Sequence, residues 1–435
     1  LKIKMNDILI TGLALFAIFF GAGNLIFPPY LGVLSGQDWW KAIGGFLTSD
    51  PFFPILGVLV TIYLGGQADD LGKRIHPKFG LVLAGIAILL IGPLFSVPRT
   101  GATTHEIFIQ SLWPQIPIWV TSLIFFGLTA YLALNPSKVI DNIGKYLTPA
   151  ILLIILILVI TIWLNPSPTL GRNHLEHPFA YGFKEGYQTM DALGASLMAS
   201  IVMNDLKNRG YQKGAHQIKA GTLVGIVAFI LLALVYLALA YAGANVSTAF
   251  SFNDGRTDVF NGMVTIILGN GGQLLMGICV ALACLTTAIG LTSACSNFFH
   301  DASNGRWSYQ VICLICVTVE FIISLIGTQQ IIVIASSVLN VIYPIVMILI
   351  LLSVFDRWIT YDLTYTGGVI AAGSVGLVQV LANHAPSAVQ ELVQPLADWT
   401  YHLPLSHLGL EWLTPAIGLA LMASAFSYFN QRLQY

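Results

Sequence analysis

Phe16-Ala17-Ile18-Phe19-Phe20-Gly21-Ala22-Gly23-Asn24-Leu25-Ile26-Phe27-Pro28-Pro29 lies at the centre of residues 8–37, a run without one charged side chain. About 20 apolar residues cross a hydrocarbon core, but here residues 8–20 and 25–37 form two shorter apolar stretches flanking Gly21-Ala22-Gly23-Asn24. In lipid every backbone N–H and C=O needs a partner, so unwound backbone survives at depth only where protein or a polar cavity surrounds it. The pattern predicts two half-helices meeting near the midplane, the device with which secondary transporters build substrate and ion sites.

Composition points the same way. Charged residues are 9% of the chain, against about 25% in soluble domains, and 56% of residues are hydrophobic. Apolar runs begin near residues 8, 42, 79, 116, 147, 179, 218, 271, 308, 331, 365 and 412, which predicts an all-α polytopic membrane protein of twelve transmembrane helices. With both termini cytoplasmic, 14 of the 19 Lys and Arg fall inside, and Lys41, Arg99, Arg172, Lys184 and Arg256 fall outside, the usual positive-inside asymmetry. The first apolar run is too long for a cleavable signal and no small-residue cleavage site follows it. A net charge of −1 offers no basic face to follow phosphates, so nucleic acid is not an expected partner. The expected partners are the lipid bilayer and a small-molecule substrate, with no obligate protein partner.

No low-complexity tract or long linker divides the chain, so residues 1–435 read as a single membrane domain with polar external stretches at 165–179, 245–273 and 384–411. Cys279, Cys284, Cys295, Cys313 and Cys316 lie in or beside the eighth and ninth spans. They read as small packing residues, because no cationic group stands near to favour a thiolate. A second interruption, Gly186-Tyr187-Gln188-Thr189-Met190-Asp191-Ala192-Leu193-Gly194, breaks the sixth span. Five spans separate the two breaks, so the broken helices cross in opposite directions, as inverted-topology repeats require. The repeats then cover about 6–165 and about 178–355, with two extra helices over about 363–430.

The first stretch resembles the first-helix signature of the bacterial branched-chain amino acid:cation symporters. Glu185-Gly186-Tyr187-Gln188-Thr189-Met190-Asp191-Ala192-Leu193 resembles the sixth-helix signature of the same family, and the twelve-span layout agrees across the whole chain. The resemblance implies a place in the amino acid–polyamine–organocation superfamily and a five-plus-five inverted-repeat fold with helices one and six broken. It also implies a secondary active transporter in the bacterial plasma membrane that imports leucine, isoleucine or valine by cation symport through alternating access. Sodium is the expected coupling ion and no further cofactor is implied. A proton-coupled symporter, or an exchanger of another small amino acid or amine, is the alternative. An enzyme is not expected, since neither metal-binding His/Cys spacing nor a Gly-x-Ser-x-Gly turn appears.

The residues supply a chemistry for a zwitterion. Leu25 onward reads as a half-helix, so the amides of Ala22, Gly23 and Asn24 sit unpaired at its positive end, suited to a carboxylate, and Gly21 and Gly23 let a ligand approach the backbone. At the second break, free carbonyls suit the substrate ammonium, and Gly186, Tyr187, Thr189 and Met190 line the expected pocket. Asp191 is an intramembrane carboxylate and by that fact a functional candidate; Asp50 and Glu320 are further candidate intramembrane acids, each suited to a proton pathway or, the preferred reading, to an interhelical bond. In the eighth span, the carbonyl of Ala283 and the hydroxyls of Thr286 and Thr287 converge as hard oxygen ligands for sodium. The competing reading is a threonine hydroxyl bonded back to its own helix. The resemblance adds the carbonyls of Ala17 and Phe20, completing five ligands.

Overall fold

Residues 3–67, 69–134, 138–167, 169–211 and 214–433 are described by the computed structural model, with the side chains of residues 22, 138–148, 432 and 433 outside that description. Among the described residues every regular element is helical and no strand occurs. By length and composition six helical stretches can cross a bilayer: Gly23–Leu64, Pro77–Leu112, Ala215–Asn245, Arg256–Ala302, Thr328–Val354 and Leu363–His384. Met5–Phe19, Ile118–Leu134, Pro149–Leu164 and Tyr309–Ser324 are shorter apolar helices. Large apolar side chains cover the outside, Trp163 at 74% exposure and Ile124 at 66%, as suits a surface facing lipid.

The helices break where the sequence removes a backbone donor or admits unusual dihedrals. Met5–Phe19 ends at Phe20 (φ −79°, ψ 77°) and extended Gly21, and the chain re-enters helix at Ala22–Ser35. Trp39–Leu47 and Phe53–Leu64 are joined through a widened turn, Thr48–Phe52, in which Asp50 is extended (φ −151°, ψ 118°) ahead of Pro51. Pro178–Glu185 passes through the tight turn Gly186–Thr189 to Met190, which is left-handed at φ 64°, before Asp191–Asn208. The stretch 245–273, expected as loop, carries the start of the Arg256–Ala302 helix, which kinks at Gly269 with φ 69°, a conformation that favours glycine. The stretch 384–411 likewise contains a helix, Ser387–Tyr401.

Four of these units pack into one bundle: the helices of residues 5–35, 39–64 and 178–208, and Ala215–Asn245. Glycines set its spacing. A Cβ on Gly32 would overlap the backbone of Ala240 and one on Gly243 that of Pro29, while one on Gly45 would overlap the Phe179 carbonyl and one on Gly182 that of Ala42. Backbones thus touch at two interfaces, which is how membrane helices associate where lipid supplies no hydrophobic drive between them. Gly12 and Gly57 serve the same purpose against Val227 and against Ala195 with Ile350. A second body forms from Ser96–Thr104, Ile118–Leu134, Arg256–Ala302 and Tyr309–Ser324. Leu363–His384 packs on Thr328–Val354 and on Leu413–Leu433 at the side.

Candidate functional site

Between the bundle and the second body lies a cavity of about 700 Å³. The first break forms part of its wall through Gly21, Gly23 and Asn24, and the sixth-helix break adds Thr189, Met190 and Asp191. Ala17, Phe20, Ala283, Thr286 and Thr287 line the same space. Gly186 and Tyr187 are not among the lining residues. A Cβ on Gly186 would overlap the Ser49 hydroxyl, and Tyr187 is buried with its ring stacked on Tyr343 at 4.4 Å and its hydroxyl accepting from Trp412 Nε1 at 3.2 Å. The side chain of Ala22 lies outside the described residues; its backbone opens the second half-helix.

That half-helix starts at Ala22, three residues before the expected Leu25, so Gly23 and Asn24 occupy its first turn. First-turn amides have no carbonyl one turn back, and no side chain caps this N-terminus. On the other side of the break, the Gly21 amide bonds the Phe19 carbonyl at 2.9 Å, two residues back, and so does not serve the Ala17 carbonyl, its ordinary acceptor in a continued helix.

The sixth-helix break is different. Its Gln188 carbonyl accepts from Arg99 Nη1 at 2.6 Å, so this carbonyl, expected as free, is taken by a side chain. The Asp191 amide bonds the Thr189 hydroxyl at 3.4 Å and the Ala192 amide bonds the Tyr343 hydroxyl at 3.2 Å. The Thr189 hydroxyl itself donates to the Gly186 carbonyl at 2.8 Å.

Arg99 is the residue that sequence reasoning misplaced. Counted as an external charge, it is 3% exposed and sits in the Ser96–Thr104 helix with its guanidinium 5.4 Å from the Phe27 ring centre. A Cβ on Gly23 would come within 2.8 Å of Arg99 Nη2, so the bare side of that glycine lies against a cation. The signal was present: the apolar pattern resumes beyond Arg99 at Ile107-Phe108-Ile109, and the helical stretch Pro77–Leu112 runs 36 residues, leaving residue 99 well inside it. His105, further along the same stretch, is also buried and bonds Thr121 Oγ1 through Nδ1 at 2.9 Å.

Asn24 gathers the acids. Its Nδ2 donates to Asp191 Oδ2 at 2.9 Å, reaches Asp50 Oδ2 at 3.4 Å and bonds the Tyr236 hydroxyl. Glu320 stands apart, fully buried, with Thr292 Oγ1 donating to both its oxygens at 3.0 and 3.2 Å. In the eighth span the Thr286 hydroxyl donates to the Ala283 carbonyl at 3.0 Å, a bond that leaves its oxygen lone pairs available. Thr287 Oγ1 looks toward the first break, 4.0 Å from where a Cβ on Gly21 would stand.

Arg256 and Glu185 lie outside the lining of this cavity and line another, of about 500 Å³. Arg256 Nε and Glu185 Oε1 form a buried ion pair at 2.5 Å, the guanidinium lies 4.4 Å from the Tyr30 ring centre, and Nη1 donates to Gln329 Oε1 at 3.0 Å. Removing either partner of such a pair costs about 3–5 kcal/mol. The cavity between the bundle and the second body reaches Leu13 and Ile201, both exposed.

A family profile described as "Branched-chain amino acid transport protein" matches residues 4–430. The chain is 34% identical to the branched-chain amino acid permease BraB of Bacillus subtilis, over 98% of this chain and 97% of that protein. It is 32% identical to the branched-chain amino acid permease BrnQ of Escherichia coli, over 97% and 96% respectively. Among solved structures it resembles Mhp1 in an inward-facing conformation, with a TM-score of 0.64 at 11% identity over 97% of this chain and 91% of that one. A Na+-coupled sialic acid symporter in a substrate-bound outward-open state matches with a TM-score of 0.61 at 12% identity, over 96% and 89%. These likenesses extend to the fold.

Proposed function

The chain belongs to the branched-chain amino acid transport protein family, a family of membrane transporters and not of enzymes, and from that premise we propose that it imports leucine, isoleucine or valine together with sodium by alternating access. The reading takes twelve crossings with both termini cytoplasmic, so the Arg256–Glu185 ion pair lies toward the outside and Leu13 and Ile201 lie toward the inside. Residues about 6–165 and about 178–355 are its two inverted repeats.

The observation that carries it is the first break. Uncapped first-turn amides at Gly23 and Asn24 and the adjacent Arg99 guanidinium suit a carboxylate, and Asp191 on the same cavity wall suits an ammonium. A backbone nest at a helix N-terminus favours anions through unpaired N–H groups and the helix dipole together. The apolar remainder of the cavity, including Ile91, Leu152 and Leu197, accommodates a branched aliphatic side chain. Sodium takes the carbonyls of Ala17, Phe20 and Ala283 with the hydroxyls of Thr286 and Thr287. Substrate and ion then stabilise the same arrangement of the broken helices, and each raises the affinity for the other by the same factor.

The test is radiolabelled leucine uptake into proteoliposomes with sodium and proton gradients imposed separately. Concentrative uptake under an inward sodium gradient is expected, with competition by isoleucine and valine. Uptake indifferent to sodium would overturn the ion assignment, and no accumulation of any of the three amino acids would overturn the substrate assignment.

A further inference from the structure

The functional reading leaves Asp50 unused. It is fully buried, its Oδ1 has no hydrogen-bond partner, and no Lys, Arg or His pairs with it among the described residues. It does not line the cavity, whereas Asp191 does. The two carboxyl groups meet on the single Asn24 amide. A carboxylate is an acceptor only, so a bond between two carboxyl groups exists when one of them carries a proton. Two like charges sharing one buried site cannot both ionise cheaply.

We propose that the Asp50–Asn24–Asp191 cluster is a proton-binding site, in which one proton is shared between the two carboxyl groups and favours occupation of the adjoining cavity. Its placement gives the proton leverage. Asn24 stands in the first turn after the first break, Asp50 is the extended residue of the widened turn Thr48–Phe52, and Asp191 follows left-handed Met190. Tyr236 comes from Ala215–Asn245. All four units of the bundle therefore meet at this cluster, each of the three broken ones at its own break. The ionisable groups facing it are Arg99 from Ser96–Thr104, whose charge acts on Asp191, together with the hydroxyls of Tyr236 and of Tyr343 from Thr328–Val354. Arg99 serves the cavity-side acid, which leaves Asp50 as the deep partner. With the proton bound, the four helices are joined by hydrogen bonds. With it lost, Asp50 and Asp191 repel across the segment that positions the substrate groups, and the proton exchanges with the cavity through Asp191.

The inference borrows from the transport reading only its use of leucine, and the experiment separates the two. Purified full-length protein is assayed for radiolabelled leucine binding between pH 5.5 and 9 at saturating sodium, and for thermal stability over the same range without ligand. Linkage of one proton predicts that wild-type affinity falls about tenfold for each pH unit once the cluster has lost its proton. Asp50→Asn, which keeps the shape and cannot ionise, is expected to flatten both the binding and the stability profiles. Tyr236→Phe, a milder change, removes the hydroxyl that accepts from Asn24 and keeps both carboxyl groups, so its profiles should keep the wild-type slope. A pH-independent wild type, equal slopes in wild type and Asp50→Asn, or a flattened profile in Tyr236→Phe would overturn the site. Should the protein bind no leucine at any pH, the substrate assignment fails and the ligand-free stability profiles still decide the proton site: divergence of wild type from Asp50→Asn sustains it, and coincidence overturns it.

Discussion

The breaks in the first and sixth helices look alike in sequence and are opposites in chemistry. At the first, Gly21 interrupts the chain so that backbone groups on both sides of the gap lose their helical partners and no side chain replaces them. At the sixth, the protein supplies the replacements: Arg99 takes the Gln188 carbonyl, Tyr343 takes the Ala192 amide and the Thr189 hydroxyl takes the Asp191 amide. An unpaired backbone group in a low-dielectric interior is costly, so a gap left open is a gap kept for something else. The first break leaves backbone groups without partners beside the cavity, while those of the sixth are met by its own neighbours, with Asp191 on the cavity wall. A glycine-rich interruption thus marks bent backbone, and only the partners decide whether it binds.

The comparison breaks most easily at Gly23. Replacing it with leucine puts a side chain where Phe27 and the Arg99 guanidinium already stand within 3.1 and 2.8 Å of a Cβ, filling the space assigned to the substrate carboxylate. Leucine binding should be lost, at least a hundredfold, corresponding to about 2.7 kcal/mol or more, while size-exclusion chromatography still shows a monodisperse protein. Wild-type affinity in this variant would move the carboxylate away from the first break and end the asymmetry.

The two breaks, the all-helical fold and the oxygen-bearing eighth span were legible because they are local: absence of charge, glycine in an apolar run, and hydroxyls one turn from a carbonyl. What escaped is non-local. The partners of Asn24 lie 26, 167 and 212 residues away in the chain, and no periodicity connects them. Arg99 escaped for a related reason, since a charge count assumes helices that end where the membrane ends, and the stretch Pro77–Leu112 is longer than a crossing needs. Gly186 reads as a break residue from its neighbours, yet its lack of a side chain makes room for Ser49, a contact with a helix distant in sequence.

The comparison sharpens at Thr286 and Thr287, because the proposed sodium shell draws on the first break and takes nothing from the sixth. Removing either hydroxyl withdraws one neutral oxygen from the ion, and a contact of that kind to a charged group is worth about 1.5–3 kcal/mol. Half-saturation by sodium should rise roughly tenfold or more, with leucine binding nearly restored at saturating sodium because the two ligands are linked. Thr→Ser at either position keeps the oxygen and should keep most of the affinity. Wild-type sodium dependence in both alanine variants would mean that the hydroxyls only bond their own helix, as Thr286 does to Ala283.

The smallest expected effect on ligands, and the most direct test of the asymmetry, belongs to Tyr343→Phe. The substitution deletes the hydroxyl that satisfies the Ala192 amide at the sixth-helix break and retains the ring stacked on Tyr187. If this break is closed for structural reasons, opening it leaves a buried donor unpaired, at a cost of about 1–3 kcal/mol of stability, visible as a Tm lower by a few degrees. Leucine affinity and sodium half-saturation should then change by less than about threefold, a shift under roughly 0.7 kcal/mol, since Asp191 keeps its Asn24 bond and the amides of the first break are untouched. The opposite pattern, an unchanged Tm with a tenfold loss of leucine affinity, would mean that the hydroxyl or the amide it covers meets the substrate. Both breaks would then bind ligand, and the chemical distinction between them would have to be given up.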